Sequence, residues 1–236
     1  MATMTSSDGS RSTGMVLLQG SGRTSTQVFQ EGLLRMFPSG RPRTVAVSTA
    51  ALAEVPGLVA RFAGWFSSRG FRGAEVSRVA LPGEPGAMSA DEAHAAFLAA
   101  DLIFLAGGDP VVGAEVLASS GGGAWIREAR QRGVHLGGGS AGAILLGAWW
   151  ARWPSEAPPG VPFDGGELVA CSGAVPMVVD THAEDDDWGE LRLVEGMLGA
   201  AKRSDGLSLW GVPTHGALLV DSDDKVVELG DAAFRL

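Results

Sequence analysis

The sequence predicts an α/β fold in which a doubly wound, mostly parallel sheet is flanked by helices. Two observations lead to this class. Segments of strand length are apolar throughout, as in strands that are buried on both faces, and segments of helical period separate them. A third observation is the chain length of 236 residues, which is enough to bury the core of one large domain.

The predicted elements alternate along the first part of the chain. The strands are expected at residues 15–20, 44–50, 74–81, 101–108 and 134–138. The helices between them are expected at residues 26–37, 57–70, 89–100, 111–119 and 124–133, and another begins at Ala141. Ser89 and Glu92 have the spacing of a capping box, which supports the third helix. Ligands of such folds bind beyond the carboxyl ends of the strands.

The alternation is weaker after about residue 150. Residues 153–166 are rich in Pro and Gly and predict a loop, and residues 193–203 predict a helix. The carboxyl-terminal part predicts strands, with a hairpin that turns at Ser222 to Asp224. We expect residues 1–13 to form a disordered arm and residues 14–236 to form a single α/β hydrolase-type domain.

Composition excludes several classes of function. The net charge is −9 and no cluster of Lys and Arg is present, which argues against a nucleic-acid partner. The single cysteine, Cys171, excludes an intramolecular disulfide and a zinc site built from several thiolates. No segment resembles a signal peptide or a transmembrane helix, so we expect a cytoplasmic protein that does not bind membranes. No cofactor and no metal ion are expected.

A G-x-S-x-G segment, Gly138 to Gly142, lies between a predicted strand and a predicted helix. Glycines on both sides of a serine permit the sharp strand-to-helix turn that exposes a nucleophile. Ser140 is therefore the predicted nucleophile, and the N–H of Ala141 is placed to stabilise an oxyanion. A second N–H from Gly108 or Asp109 is expected at the same edge of the sheet. A plain glycine-rich loop or a phosphate-binding loop is the alternative interpretation.

Two histidines compete for the role of general base. His182 follows a buried strand and begins a loop, where catalytic groups often lie. His215 offers an alternative, because Ser140, Asp180 and His215 have the chain order of α/β-hydrolase esterases. In a third arrangement His182 is the base and a nearby carboxylate, Glu184 or Asp185, is its partner. The acidic run 184–187 is either a solvated loop or part of a pocket for a cationic substrate.

Four motifs together resemble the S51 serine peptidases. They are the segments LLQGSGR, AGGDP, GGSAGA and VVDTHAEDD. That family includes aspartyl dipeptidase and cyanophycinase, on a flavodoxin-like, class I glutamine amidotransferase-like fold. The resemblance implies cleavage of short acidic or isoaspartyl peptides by a Ser–His–acid triad, and a homodimer. It assigns Ser140 as nucleophile, His182 as base, and the N–H groups of Gly108 and Ala141 as oxyanion hole.

The sequence departs from the family pattern at two places. The segment after His182 contains Ala183 and four acidic residues where the family has Phe and several Arg, and only Arg192 remains. Thr214 stands where the family's acid is expected. A hydroxyl can accept the His N–H but cannot balance an imidazolium charge. The residues predicted to contact substrate are Asp109, Gly139, Glu184, Asp185, Arg192 and His215.

These observations predict a serine hydrolase that cleaves an amide bond in a small peptide or amino-acid conjugate, with an atypical third triad member. Two alternatives follow from the departures. One is a catalytically impaired relative that binds a ligand or regulates a partner, and the other is an esterase that uses Ser140, Asp180 and His215.

Overall fold

The computed structural model describes residues 12–21, 26–38, 40, 42–48, 60, 74–153, 166–203 and 206–236. Most of the predicted amino-terminal arm, nearly all of the predicted helix at 57–70 and most of the predicted loop at 153–166 lie outside these ranges.

The described strands and helices follow the predicted alternation in the first part of the chain. The strands are β1 (Val16–Gln19), β2 (Thr44–Ser48), β3 (Glu75–Val79), β4 (Leu102–Leu105), β5 (His135–Gly139), β6 (Trp149–Arg152), β7 (Glu167–Ala170), β8 (Met177–Thr181), β9 (Ser208–Val212), β10 (Gly216–Val220), β11 (Val226–Gly230) and β12 (Phe234–Arg235). The helices are α1 (Thr26–Met36), α2 (Ala90–Ala99), α3 (Pro110–Ser120), α4 (Gly122–Gln131), α5 (Ala141–Leu146) and α6 (Gly189–Arg203), with a 3₁₀ turn at Glu184–Asp186.

A seven-stranded sheet forms the centre of the fold, in the order β11-β10-β1-β5-β4-β2-β3. Strands β1 to β5 pair in parallel, and β10 and β11 extend the sheet antiparallel beyond β1. The predicted mixed, mostly parallel α/β class is therefore confirmed. The predicted hairpin is also present, since β10 and β11 pair antiparallel around residues 221–225.

The central strands are apolar throughout because helices cover both faces of the sheet. In β1, Val16 and Leu18 pack with the apolar residues of α2, α3 and α4, including Phe97. Leu17 between them packs on the other face against α1, including Phe29. Alternate residues of one strand thus contribute to two separate clusters, which is why no polar face is visible in the sequence. The capping box of Ser89 and Glu92 at the start of α2 is present as predicted.

Two smaller sheets were not predicted. β8, β9 and β12 form a three-stranded sheet, and β6 and β7 form an antiparallel pair. The helix that begins at Ala141 ends at Leu146, because the extended backbone of Gly147 stops it. The chain then runs along the start of β8, with the N–H of Ala148 donating to the carbonyl of Met177. Because α5 itself packs against β8, the segment after β8 lies near the turn that precedes α5.

Among the described residues, every helix is too short or too polar to span a lipid bilayer.

Candidate active site

Ser140 lies at a sharp turn between β5 and α5, with φ 54° and ψ −128°. This backbone conformation is rare for a residue with a side chain, and it is typical of strained functional turns. The neighbouring glycines make the turn possible. A Cβ at Gly142 would lie 2.0 Å from the carbonyl oxygen of Leu105, and a Cβ at Gly138 would lie 2.4 Å from the carbonyl oxygen of Gly142. The close backbone approach therefore requires glycine at both positions.

His182 lies directly after β8 and contacts the serine. Its Nε2 is 2.8 Å from Oγ of Ser140, within hydrogen-bond distance. The residue has φ 48°, and its backbone N–H donates to the carbonyl of Val212 in β9. The pairing of β8 with β9 thus fixes the backbone from which the imidazole reaches the serine.

Two backbone N–H groups lie near the serine without an internal acceptor. Gly108 and Ala141 both line the cavity that contains Ser140. Neither N–H donates a hydrogen bond to any residue in the described ranges. Gly107, the residue before Gly108, is packed against the serine, because a Cβ there would lie 3.1 Å from Cβ of Ser140. The end of β4 is therefore in direct contact with the elbow.

Glu184, two residues after His182, is a carboxylate that contacts Thr214. Its Oε1 accepts a hydrogen bond of 3.0 Å from the backbone N–H of Thr214. Partial burial acts to raise the pKa of Glu184, but hydrogen bonds from Thr214, together with a weaker electrostatic attraction from His182, outweigh it. The net pKa of Glu184 is below its usual value, so the group is a carboxylate at neutral pH.

The cavity at the serine has a volume of about 380 Å³. Backbone, apolar and acidic groups line it together with the Ser140–His182 pair. The described lining residues are Gly108, Pro110, Ser140, Ala141, Ile144, Trp150, Asp180, Thr181, His182, Ala183, Asp185, Asp186 and Glu190.

Asp180, at the end of β8, is the most buried carboxylate of this cavity. Its side chain belongs to a residue that is 4% exposed. Oδ1 accepts the N–H of Thr181 at 2.7 Å, whereas Oδ2 accepts no hydrogen bond from the described residues. Burial raises the pKa of Asp180 to about 7, and the negative charges of Glu190 and Asp186 add to that rise. The N–H of Thr181, and the N–H of Leu191 from beyond hydrogen-bond distance, act in the opposite direction.

Several residues predicted to contact substrate lie elsewhere among the described residues. Asp109 is the N-cap of α3, where its Oδ1 accepts the N–H groups of Val111 and Val112. Arg192 is paired with Asp187 and stacks over the ring of Phe234. None of these side chains is among the described lining residues of the cavity.

His215 and Gly139 are also absent from the described lining. His215 is exposed in the turn between β9 and β10, and its carbonyl accepts the N–H of Asp231. Gly139 lies in β5, paired with Gln19 of β1. Of the two competing histidines, the structure brings His182 to the serine. Thr214 contacts Glu184, and the structure records no hydrogen bond from it to His182 within the described ranges.

Sequence reasoning anticipated Asp186 through the acidic run 184–187 but missed Glu190 and the apolar part of the cavity. Asp186 and Glu190 line it together with Asp180, and Trp150 and Ile144 supply apolar surface. The acidic run was a signal for Asp186. Glu190 lies in the first turn of α6 and carries no such signal, because an acidic residue in a first helical turn is ordinary. Within the described ranges, no group of three or more His, Cys, Asp or Glu side chains is arranged to hold a metal ion.

The sequence model of peptidase family S51 matches residues 15–171. The match includes the elbow and Ser140 and ends before His182 and Glu184. No curated protein sequence matches the chain.

Two solved structures resemble the fold over nearly its whole length. A peptidase from an acI-B1 Actinobacterium has a TM-score of 0.57 at 19% identity, covering 96% of this chain and 95% of its own. A peptidase E-like protein from Listeria monocytogenes EGD-e has a TM-score of 0.61 at 17% identity, covering 93% of this chain and 100% of its own. At these identities the likeness establishes the fold.

Proposed function

Because the chain belongs to peptidase family S51, we propose that it is a serine hydrolase that cleaves an amide bond in a small peptide or amino-acid conjugate. Family membership supports a peptidase-like function in general. The roles of individual residues are our proposal, and they rest on the geometry of the site.

One observation carries this proposal: Oγ of Ser140 lies 2.8 Å from Nε2 of His182. The serine stands on a strained elbow that exposes its hydroxyl to the cavity. A hydroxyl is a weak nucleophile at neutral pH, and an adjacent imidazole activates it by taking its proton. A structural serine needs neither the strained turn nor the imidazole partner.

The reaction follows from these positions. Oγ of Ser140 attacks the amide carbonyl carbon while Nε2 of His182 accepts the hydroxyl proton. The same nitrogen then gives the proton to the leaving amine, and the C–N bond breaks. Water, deprotonated by His182, hydrolyses the acyl-serine and regenerates the enzyme. This sequence requires the Nδ1–H tautomer of His182 in the resting state.

The free N–H groups of Gly108 and Ala141 are the proposed oxyanion hole. Both line the cavity at the serine and neither has an acceptor within the described ranges. Removing one such donor from a serine hydrolase costs about 10²–10³ in turnover.

Thr214 stands where the family has its triad acid. We assign Glu184 in its place as the partner of the His182 imidazolium. An electrostatic attraction from His182 is the smallest contribution to the lowered pKa of Glu184, and it supports a partnership between the two charges without a direct hydrogen bond. Thr214 then has a positioning role, since its N–H holds the Glu184 carboxylate at 3.0 Å.

A fluorophosphonate probe tests the proposal, because it forms a covalent bond only with an activated serine. We expect labelling of the wild type and loss of labelling in Ser140→Ala and in His182→Ala. His215→Ala is the matched control, since it removes an exposed histidine outside the described cavity lining. Circular dichroism and thermal unfolding of each variant check that the fold is retained.

The other outcomes identify the alternatives. Loss of labelling in His215→Ala and not in His182→Ala would favour the esterase arrangement with Asp180. An unlabelled wild type that unfolds cooperatively would contradict the hydrolase proposal and favour a ligand-binding or regulatory protein.

A further inference from the structure

The loop between β8 and α6, residues 182–188, contains several residues in the left-handed backbone conformation. His182, Asp187 and Trp188 have φ values of 48°, 55° and 59°. A positive φ is uncommon for any residue with a side chain, and for a residue as bulky as Trp it is an outlier. Such backbone persists only where the surrounding structure holds it in place. This loop therefore depends on contacts with the rest of the fold.

The indole ring of Trp188 packs directly on the backbone of Gly211 in β9. A Cβ at Gly211 would lie 2.5 Å from Cε3 and 2.7 Å from Cε2 of the indole, so the approach requires glycine. Trp188 is 6% exposed, and its ring stacks on that of Phe234 in β12 with an interplanar angle of 2°. The indole is therefore fixed on two neighbouring strands, β9 and β12.

Hydrogen bonds connect this packed end of the loop to the histidine. The N–H of Trp188 donates to the carbonyl of Ala183, the residue after His182, at 3.2 Å. The N–H of His182 donates to the carbonyl of Val212, which follows Gly211, at 2.9 Å. The two ends of the loop are thus attached to adjacent residues of β9 and to each other.

Arg192 in α6 supports the same end of the loop. Its backbone N–H donates to the carbonyl of Trp188 at 3.1 Å, and its Nε donates to the carbonyl of Asp187 at 3.1 Å. Its guanidinium carbon lies 4.9 Å from the centre of the Phe234 ring, within the range of a cation–π contact. The arginine that was expected to contact substrate therefore contacts the loop and its aromatic neighbour.

We propose that Trp188, packed on Gly211, is a positioning residue for the Ser140–His182 pair. The packing holds the left-handed backbone of Trp188, whose hydrogen bond to Ala183 fixes the start of the loop. Nε2 of His182 is thereby kept 2.8 Å from Oγ of Ser140. The inference rests on the proposed function, since it names a residue that acts through the proposed base. An indole with only a packing role would stabilise the fold and leave the contact between serine and histidine unchanged.

Two variants weaken the packing from its two sides. Gly211→Ala places a Cβ where the indole lies and leaves the loop residues unchanged. Trp188→Phe removes one ring of the indole and keeps an aromatic side chain. Each is expected to slow fluorophosphonate labelling, by up to about 10²-fold if the imidazole moves by about 1 Å. Because both variants remove the same contact, the double variant is expected to label no more slowly than the slower single variant.

A second measurement reports the contact itself. NMR of protein enriched in ¹⁵N-histidine records the Nε2 resonance of His182 at alkaline pH, where imidazole is neutral. The chain has four histidines, and His182→Ala assigns the signal. In the wild-type background, Ser140→Ala removes the hydroxyl from Nε2 and is expected to shift the resonance. In Gly211→Ala and in Trp188→Phe the same replacement is expected to cause little or no shift, because the imidazole has already moved away from the serine.

Gly32→Ala and Trp125→Phe are the matched controls. A Cβ at Gly32 in α1 would lie 2.6 Å from the side chain of Leu17, which makes it a comparable steric change. Trp125 in α4 is a partly buried indole that packs against a different apolar cluster. Neither residue is among the described lining residues of the cavity. Both variants are expected to leave the shift caused by Ser140→Ala intact, whatever their effect on thermal stability.

The proposal is overturned if Ser140→Ala shifts the His182 resonance as much in the packing variants as in the wild type, or causes no shift in the wild type. It is also overturned if the controls abolish the shift, since general destabilisation would then explain the loss. Gly211→Ala decides alone if Trp188→Phe does not fold.

Failure of the proposed function gives a different result, which is a wild type that the fluorophosphonate does not label. A labelled wild type whose packing variants keep the full shift retains the hydrolase and loses this inference. An unlabelled wild type whose packing variants lose the shift retains the positioning of His182 and loses the hydrolase.

Discussion

The backbone N–H of Thr214 donates a 3.0 Å hydrogen bond to Oε1 of Glu184. Thr214 stands where an acid was expected from the family pattern, and it holds a carboxylate that comes from a different loop. The side chain at the expected position is neutral, yet the region around His182 contains a carboxylate with a lowered pKa. We propose that Glu184 supplies the negative charge that the residue at position 214 lacks.

Replacing Glu184 by Gln is expected to slow fluorophosphonate labelling of Ser140 at least tenfold. The amide keeps the shape of the side chain but cannot stabilise the imidazolium that forms on His182. Complete loss of a triad acid costs about 10⁴-fold, which sets the upper limit of the effect. The measurement is the pseudo-first-order labelling rate.

Asp187→Asn is the control for Glu184. It removes a neighbouring negative charge outside the described lining, and asparagine tolerates the left-handed backbone of that position. If both variants label at the wild-type rate, Glu184 is not the partner of His182.

The contribution of Asp180 to the stability of the protein is expected to fall as the pH rises through the range from about 4 to about 7. The pKa of Asp180 is raised from its ordinary value of 3.8 to about 7 in the folded protein, chiefly by burial. The folded state therefore binds more protons than the unfolded state between these values, so the free energy of unfolding decreases with pH. A rise of about three pKa units corresponds to a change on the order of 4 kcal/mol.

Asp180→Asn is expected to flatten this decline and to stabilise the protein above pH 7. Urea unfolding at pH 5 and pH 8 measures the effect, with Glu75→Gln as the reference carboxylate variant. Glu190 has a pKa raised by burial and by Asp186, so part of the decline persists in the variant. An equal pH dependence in Asp180→Asn and the wild type would show that Asp180 is ionised in both states.

Gly142→Ala is expected to disrupt the elbow. The new Cβ would lie 2.0 Å from the carbonyl oxygen of Leu105, so α5 must move away from the end of β4. We expect a loss of about 2–3 kcal/mol in the free energy of unfolding, in the range of other steric changes in a packed interior, and loss of labelling at Ser140.

Gly196→Ala provides the comparison for that loss. Gly196 lies in α6, and a Cβ there meets no atom within 4 Å. Alanine in an exposed helical position is expected to stabilise the protein by about 0.5–1 kcal/mol and to leave labelling unchanged. Equal unfolding free energies for the two variants would contradict the steric account of the elbow.

The sequence by itself determined the central sheet, the elbow and the carboxyl-terminal hairpin. Each of these depends on local patterns. Apolar runs such as that of β1 indicate burial on two faces. The glycines around Ser140 indicate close backbone contacts that leave no room for a side chain. The strand bounds differed from the predicted ones by a few residues. Backbone hydrogen bonding determines where a strand ends, and the pattern of apolar residues does not show it.

Only the tertiary structure decided which groups meet at the serine. His182 and His215 both follow a strand, and their sequence positions do not say which one reaches Ser140. The choice depends on the pairing of β8 with β9 and on the left-handed backbone of His182, which are long-range properties of the fold. The same holds for the buried oxygen of Asp180. Its lack of a partner arises from packing against residues distant in the chain, and no local pattern of residue types encodes that.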